Sequence, residues 1–305
     1  MRAVNLPPQV EVIERGWLSS NNIVLHETGG ATLIDSGYQA HAANTLALVA
    51  KALRGRPLLG LVNTHCHSDH MGGNAALARA HGCPISVPEG EAAAIAAWDE
   101  DAMMLAYTGQ SAERFSYTET IAAGDVLRLG GIEWQALAAP GHDPNALMFH
   151  APAERILITG DALWENGFGL IFPELFGQSG FADARTTLET ITRLEVDSVI
   201  PGHGAPFGDI AKALATAFER LDAYERDPAK LVRHALKVML SFSLMIMGSI
   251  AEAELPGFLA GVPIYGELNR RFLRLPEAQL CAYLVKDLER AGALARRDGR
   301  LFAGG

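Results

Sequence analysis

Cysteine is scarce: Cys66, Cys83 and Cys281 are the only three in 305 residues. Three is too few, and too odd a number, for a disulfide framework, so a stapled secreted scaffold is excluded and a reducing compartment is expected. The opening Met-Arg-Ala-Val-Asn-Leu-Pro-Pro has no apolar h-region. No secretory signal is therefore expected, and the expected location is cytoplasmic. Long hydrophobic runs are also missing. The best candidate, Val238 to Ile250, is shorter than the ~20 residues that cross a bilayer, and it is interrupted by three serines and a glycine. Such a helix, apolar nearly all round, belongs in a buried place, under the C-terminal region or at a homodimer contact. Its methionines Met239, Met245 and Met247 read as core packing. Internal repeats and low-complexity linkers are absent, and so is a Gly-x-Ser-x-Gly nucleophile elbow.

Positive charge is in short supply. Lys and Arg number 25 against 35 Asp and Glu, a net charge of −10. Residues 207–305 hold 14 basic and 12 acidic side chains, which leaves 11 and 23 in residues 1–206, a net of −12 there. Phosphate neutralisation dominates nucleic-acid affinity. With no long basic run and no interleaving of basic and aromatic residues, a nucleic-acid partner is disfavoured and a small-molecule substrate preferred.

Against these absences stands a dense cluster. Residues 64–70 read Thr-His-Cys-His-Ser-Asp-His, placing three imidazoles and a carboxylate in the six positions from His65 to His70. Alternate residues of an extended or tightly turned segment point the same way, so His65 and His67 can grip one ion together. Asp69 and His70, just past the turn, can reach a second ion beside it. Buried imidazoles and carboxylates this close need a cation to neutralise them. Three further motifs each set a metal-capable side chain where an apolar strand gives way to a glycine turn: Pro-Gly-His142-Asp-Pro, Thr-Gly-Asp161 and Pro-Gly-His203-Gly.

In this order the motifs resemble the metallo-β-lactamase superfamily of hydrolases, over about the first two-thirds of the chain. The resemblance implies an α+β fold, an αββα sandwich with a two-metal site at one edge of the sheets. It implies that His65, His67 and His142 hold one metal, that Asp69, His70 and His203 hold the other, and that Asp161 bridges them. Asp35, in Leu-Ile-Asp-Ser-Gly, matches a supporting aspartate at a strand end in many members, or else caps a turn. Authentic β-lactamases of the family generally lack the bridging aspartate, so Asp161 favours the branch with thioesterases, lactonases and nucleases. Asp143-Pro144-Asn145 departs from the Ser or Thr that many relatives carry after the histidine. Asp143 there either supports a ligand imidazole or caps the turn, the latter being preferred.

The donor set suits zinc, with iron or manganese as alternatives. Two divalent ions sharing Asp161 would lie roughly 3.5–4 Å apart and hold a water whose pKa falls toward about 7. The hydroxide is then the nucleophile, one ion polarises the substrate oxygen, and the other stabilises the leaving atom. Asp69, besides ligating, is the catalytic residue expected to accept a hydrogen bond from that hydroxide. The expected reaction is hydrolysis of a small ester-like substrate such as a thioester, lactone or ester; the alternative is a nuclease docking through its tail.

Along the chain, strands are expected at Gln9 to Trp17, Asn22 to Glu27 and Ala31 to Asp35. Helices follow at Ala42 to Leu53, Gly73 to Ala80 and about Glu91 to Tyr107. Strand signals return from Ser116 to Thr159, with Gly130-Gly131 as a hairpin turn. An amphipathic helix over Asp183 to Leu194 precedes a strand at Val199. The catalytic domain is expected to occupy residues 1–206, and a helical C-terminal domain residues 207–305. There a helix over Pro276 to Leu294 leads into a charged two-residue hairpin around Asp298-Gly299. Helix followed by hairpin resembles a winged-helix tail. Trp164 and Phe168, on a glycine-broken stretch just after Asp161, are the expected substrate wall. Phe172 and Phe176 are assigned to the core. Trp98, Met103, Met104 and Tyr107 are placed on one helix that could act as an opposing lid.

Overall fold

The computed structural model describes residues 4–304. Its first sheet runs in chain order: β1 (Val10–Ile13), β2 (Asn22–Glu27), β3 (Gly30–Ile34), β4 (Leu58–Val62), β5 (Ile85–Pro88) and β6 (Glu119–Ile121). The first three strands are antiparallel, and from β3 onward each neighbour is parallel. A parallel neighbour is reached only by crossing over the sheet face, so each such step needs a connecting segment that can bury one side. Helix α1 (Ala42–Leu53) makes the crossing from β3 to β4, and α2 (Ser68–Met71) with α3 (Asn74–His81) the crossing from β4 to β5. The apolar faces of α1 (Val49, Ala52, Leu53) and α3 (Leu77) are buried accordingly.

The expected helix from Glu91 to Tyr107 is broken. It is two short pieces, α4 (Ala92–Ala97) and α5 (Leu105–Thr108). Trp98 (φ 56°) and Met104 (φ 60°) adopt the left-handed conformation that ends a helix. Between them the Asp99 carboxylate accepts hydrogen bonds from the N–H groups of Asp101 and Ala102, a turn that competes with helix. The four side chains expected on one helix therefore do not share one. The expected strand Gln9 to Trp17 is likewise shorter, ending at Ile13.

The second sheet has the order β11-β10-β9-β8-β7, with β7 (Val126–Leu129), β8 (Ile132–Ala138), β9 (Leu147–Ala151), β10 (Ile156–Gly160) and β11 (Ser198–Pro201). Gly130 and Gly131 join β7 to β8 with φ of 62° and 71°. Both central residues of that two-residue turn are left-handed, the geometry that matches strand twist and that Gly-Gly supplies at no steric cost. Between the parallel strands β10 and β11 come α6 (Phe172–Leu175) and α7 (Phe181–Arg193).

The two sheets form one sandwich. Ile23 and Leu25 of β2, Ile34 of β3 and Val62 of β4 share a core with Ile132, Trp134 and Ala136 of β8 and Leu147, Phe149 and Ala151 of β9. Alternate residues of β2, β8, β9 and β10 enter that core, as the two-residue period of a strand requires. Intervening residues such as Val24, Leu33, Leu61, Met148 and Leu157 are buried on the outer faces. The architecture is α+β, a two-sheet sandwich with crossover helices and a helical C-terminal region.

By packing, the chain groups into two compact units: the chain up to Met103 with Ser111–Asp222, and Met104–Gln110 with the chain from Ala223 onward. The sequence had suggested a single division after residue 206. Helix α8 (Ile210–Arg226) precedes the long α9 (Pro228–Met247), which contains most of the apolar stretch 238–250. Leu236, Met239, Leu240 and Leu244 are buried, as expected of core. Met245 is only half-buried and Met247 is exposed, contrary to the core assignment, because the last turn of α9 has run past its covered face. The second unit continues with α10 (Leu255–Gly261), α11 (Pro263–Leu268) and α12 (Glu277–Arg290). Its own small sheet pairs β12 (Ile250–Ala251), β14 (Arg300–Ala303) and β13 (Leu294–Arg297) in that order. Asp298 (φ 49°) and Gly299 (φ 71°) form the expected hairpin turn between the last two. Among the described residues no helix is long and apolar enough to cross a membrane.

Candidate active site

Four strand ends meet at one edge of the sandwich. The segment after β4 carries His65 and His67, then Asp69 and His70 on the single turn of α2. His142 follows β8, Asp161 follows β10, and His203 follows β11. Glycine makes the approach close enough. A Cβ on Gly202 would overlap the Asp161 carboxylate, and one on Gly169 would overlap the His142 ring.

The seven side chains fall into two groups. His65, His67 and His142 form one, and Asp69, His70, Asp161 and His203 the other, with the ligand atoms of each group within 4.8 Å of one another. Asp161 faces both groups: Oδ2 lies 3.5 Å from His142 Nε2, and Oδ1 lies 3.3 Å from His70 Nε2 and 3.8 Å from His203 Nε2. Asp69 Oδ2 is 3.1 Å from His203 Nε2.

Which ring nitrogen faces inward is set by what holds the other. His142 Nδ1 is 2.5 Å from the Leu170 carbonyl oxygen, so it carries the proton and Nε2 keeps its lone pair. His67 Nε2 faces Asp143 Oδ2 at 3.5 Å. His67 Nδ1 and His142 Nε2 are 2.8 Å apart. At that separation either a proton on one ring or a cation between the two must hold the lone pairs together. His65 Nε2 is buried with no hydrogen-bond partner among the described residues, and His70 Nε2 has no well-directed hydrogen bond. Unpartnered buried nitrogens of this kind, together with ionised carboxylates, fit a divalent metal.

Electrostatics agree. Burial, reinforced by neighbouring histidines, holds His65 well below the usual imidazole range. Burial also takes His67 down to about 4 and His142 to about 3. These three rings are therefore neutral at pH 7, the form that ligates metal. In the second group burial opposes ionisation of Asp161, but His203 and His70 overcome it and hold the carboxyl well below its ordinary value. Burial is overcome at His70 as well, where Asp35, Asp161 and Asp69 raise the imidazole.

Asp35 lies against His70 and Thr64. Its Oδ2 is 2.8 Å from His70 Nδ1, while Oδ1 accepts the Thr64 N–H at 2.9 Å and Oδ2 accepts the Thr64 hydroxyl at 2.8 Å. Asp143 Oδ1 accepts the Asn145 N–H at 2.7 Å, capping the turn, while Oδ2 faces His67 at 3.5 Å. Trp164 lies against the cluster. Its Nε1–H donates to Asp161 Oδ1 at 3.2 Å, and its ring meets His203 edge-on at 5.3 Å. Phe168 is buried behind His142, lining a small cavity with Pro140, Ala184 and Leu188. Phe172, which the sequence assigned to the core, is buried and also touches the rings of His67 and His142, at 5.2 and 5.6 Å.

Three residues at the cluster carry no sequence signal. Trp17 stacks on the His203 ring at 5.5 Å, edge-on to Trp164, and is still 54% exposed. Asn21 ties the His203 loop down, donating from Nδ2 to the carbonyls of Pro201 and Gly204 at 3.0 and 2.7 Å. Glu91, at the start of α4, reaches Asn145 and Asp143 beneath His67. Trp17 and Asn21 precede β2, and Glu91 ends the 3-10 turn Glu89–Glu91 before α4.

A two-sheet α+β sandwich with a histidine- and aspartate-rich cluster at one edge defines a class of metallo-hydrolase fold. The model of the metallo-beta-lactamase superfamily matches residues 15–203, and the chain belongs to that family. Among curated relatives, a hydroxyacylglutathione hydrolase of Idiomarina loihiensis is 35% identical over 119 residues, 38% of each chain. The chain thus spans well under two-thirds of that relative. A hydroxyacylglutathione hydrolase of Methylococcus capsulatus is 27% identical over 280 residues, 86% of this chain and 97% of that one. Among solved structures, a metallo-beta-lactamase family protein from Thermus thermophilus aligns with 98% of this chain and 100% of its own, at a TM-score of 0.58 and 20% identity, a likeness of fold.

Proposed function

We propose that this chain is a binuclear metal-dependent hydrolase of small acyl thioesters or related esters. His65, His67 and His142 would hold one divalent ion, Asp69, His70 and His203 the other, with Asp161 reaching both. Zinc is the preferred ion for this nitrogen and oxygen set, with iron or manganese as substitutes. The observation that carries the reading is the convergence of seven ligand side chains in two adjoining groups, with Asp161 facing each. Bound divalent ions supply Lewis acidity, polarising an acyl oxygen and acidifying water.

The chain's own residues supply the rest. The Asp69 carboxylate, kept ionised by His70 and His203 against its burial, can accept a proton or a hydrogen bond from an attacking water. His65, His67 and His142 stay neutral, so no proton must leave them before a ligand binds. Trp17 and Trp164 offer apolar surface beside His203, suited to the carbon portion of an acyl group. A thioester ranks first because the relatives are named for hydrolysis of an acyl glutathione, and a thiolate leaving group needs little help from a general acid. In this proposal the catalytic work belongs to residues 1–206, and residues 207–305 form an appendage. The three cysteines are unpaired, which supports a cytoplasmic setting.

A panel of acyl thioesters, lactones and simple esters, assayed with zinc-reconstituted protein, tests the proposal. Turnover of one of these classes, abolished by chelator and restored by zinc, is expected. No turnover of any, with cleavage of RNA instead, would reverse it.

A further inference from the structure

Helix α2 carries both Asp69 and His70, yet it is a single turn of four residues. A helix that short cannot hold itself together, so its direction is set by whatever grips its carbonyl groups. The Asp69 carbonyl accepts the Ser20 N–H at 2.9 Å, and the His70 carbonyl accepts the Ser36 N–H at 2.7 Å. A chain of three fully buried side chains ends on that same His70 carbonyl: Ser36 just after β3, Asn74 at the start of α3 and Asn63 just after β4. The Ser36 hydroxyl accepts the Gly73 N–H at 3.0 Å and donates to Asn74 Oδ1 at 2.6 Å. Asn74 Nδ2 donates to Asn63 Oδ1 at 2.7 Å, and Asn63 Nδ2 donates to the His70 carbonyl at 3.2 Å. Every donor in the chain points the same way, so each amide has one orientation. A turned-over Asn63 would set its oxygen against the His70 carbonyl and its nitrogen against that of Asn74. Glycine permits the close approach: a Cβ on Gly73 would overlap the Ser36 carbonyl oxygen.

We propose that Asn63 and Asn74 are positioning residues for the second group of the metal centre: with Ser36 they clamp the His70 carbonyl and so fix the turn that carries Asp69 and His70. The inference rests on the metal reading above. Asp35 Oδ2 holds the His70 ring at Nδ1, 2.8 Å away, but a ring held only at its tip still swings when the backbone beneath it turns. With the carbonyl clamped as well, His70 Nε2 stays 3.3 Å from Asp161 Oδ1 and Asp69 Oδ2 stays 3.1 Å from His203 Nε2. Among the described residues, no hydrogen bond joins the three clamp side chains to His65, His67 or His142. Groups that orient a ligand from behind are typically worth about 10- to 100-fold in metal affinity.

The test compares the wild type with Asn74→Leu, Asn63→Leu and Ser36→Ala, each stripped of metal and reconstituted with zinc chloride. The two stepwise zinc affinities are measured by competition with a chromophoric chelator, and the urea midpoint on the metal-free protein. Leucine is close to the amide in size and can neither donate nor accept. Each leucine variant should weaken one zinc by about 10- to 100-fold and leave the other within about threefold. Ser36→Ala keeps its backbone N–H on His70 and should show the same one-ion loss in milder form, about three- to tenfold. Two unchanged zinc affinities in all three variants overturn the inference. So does an equal weakening of both ions that tracks a lower urea midpoint, the mark of a general loosening. Should the leucine variants fail to fold, Ser36→Ala decides alone. A wild type that binds no zinc defeats the metal reading itself; a wild type with two ions and indifferent variants defeats only the clamp.

Discussion

Gly202 places the most severe single-atom demand on the cluster. An added methyl would overlap the Asp161 carboxylate and lie 2.9 Å from the His70 ring. Gly202→Ala should therefore lower bound metal and turnover by at least about 10-fold while leaving the far-ultraviolet circular dichroism intact, since the clash is local. Normal metal content in that variant would contradict the geometry. Glu91 gives a pH signature in metal-depleted protein. Its folded value of about 8 lies above the ordinary 4.5, so between those values the folded state holds a proton that the unfolded chain has lost. That contribution is fully present below about pH 4.5 and is lost as pH rises through 8. Urea unfolding across this window should show Glu91→Gln gaining stability relative to wild type as pH rises; a constant difference would refute the assignment. The cluster's side chains were legible in the sequence, because His65 to His70 are neighbours and the other three sit in glycine turns. Trp17, Asn21 and Glu91 were not, because each reaches the cluster only once distant loops have been brought together.

Turns decided how well the elements could be read. Gly130-Gly131 and Asp298-Gly299 both predict two-residue hairpins, and both adopt positive φ at each central residue. At Gly299 a side chain would meet no neighbour, so the cost of replacing it is conformational alone. Gly299→Val should lower stability by about 1–2 kcal/mol, read as an earlier thermal or urea midpoint, with no effect on metal binding. The stretch from Glu91 to Tyr107 misled because its apolar spacing suits a helix, while Trp98 and Met104 take left-handed values that neither side chain advertises. The Asp99 turn between them was the available clue: an aspartate that captures its own backbone N–H groups competes with helix.

At the scale of the whole molecule, seven side chains drawn from both sheets would, on the proposed function, make metal a fold-wide stabiliser. Ions that bind only the native chain add about 2.7 kcal/mol when free metal exceeds its dissociation constant a hundredfold. Chelation should lower the melting temperature and zinc should restore it; an unchanged melting curve would mean that no ion is held by the folded protein. The sandwich was implied by the family resemblance that the motif order carries. The grouping of Met104–Gln110 with the chain beyond Ala223 could not be anticipated, since seven residues carry no compositional mark of the unit they join.

The contact between Asp69 and His203 closes a loop of 134 positions. A chain still leaving the ribosome therefore owns the histidine cluster long before it owns the partner that completes the second group. On the proposed function, early capture of an ion by the cluster alone would be partial and exchangeable, and full loading would have to wait until the final strand of the sandwich had paired. Metal uptake during synthesis would then serve as a clock for the last step of assembly.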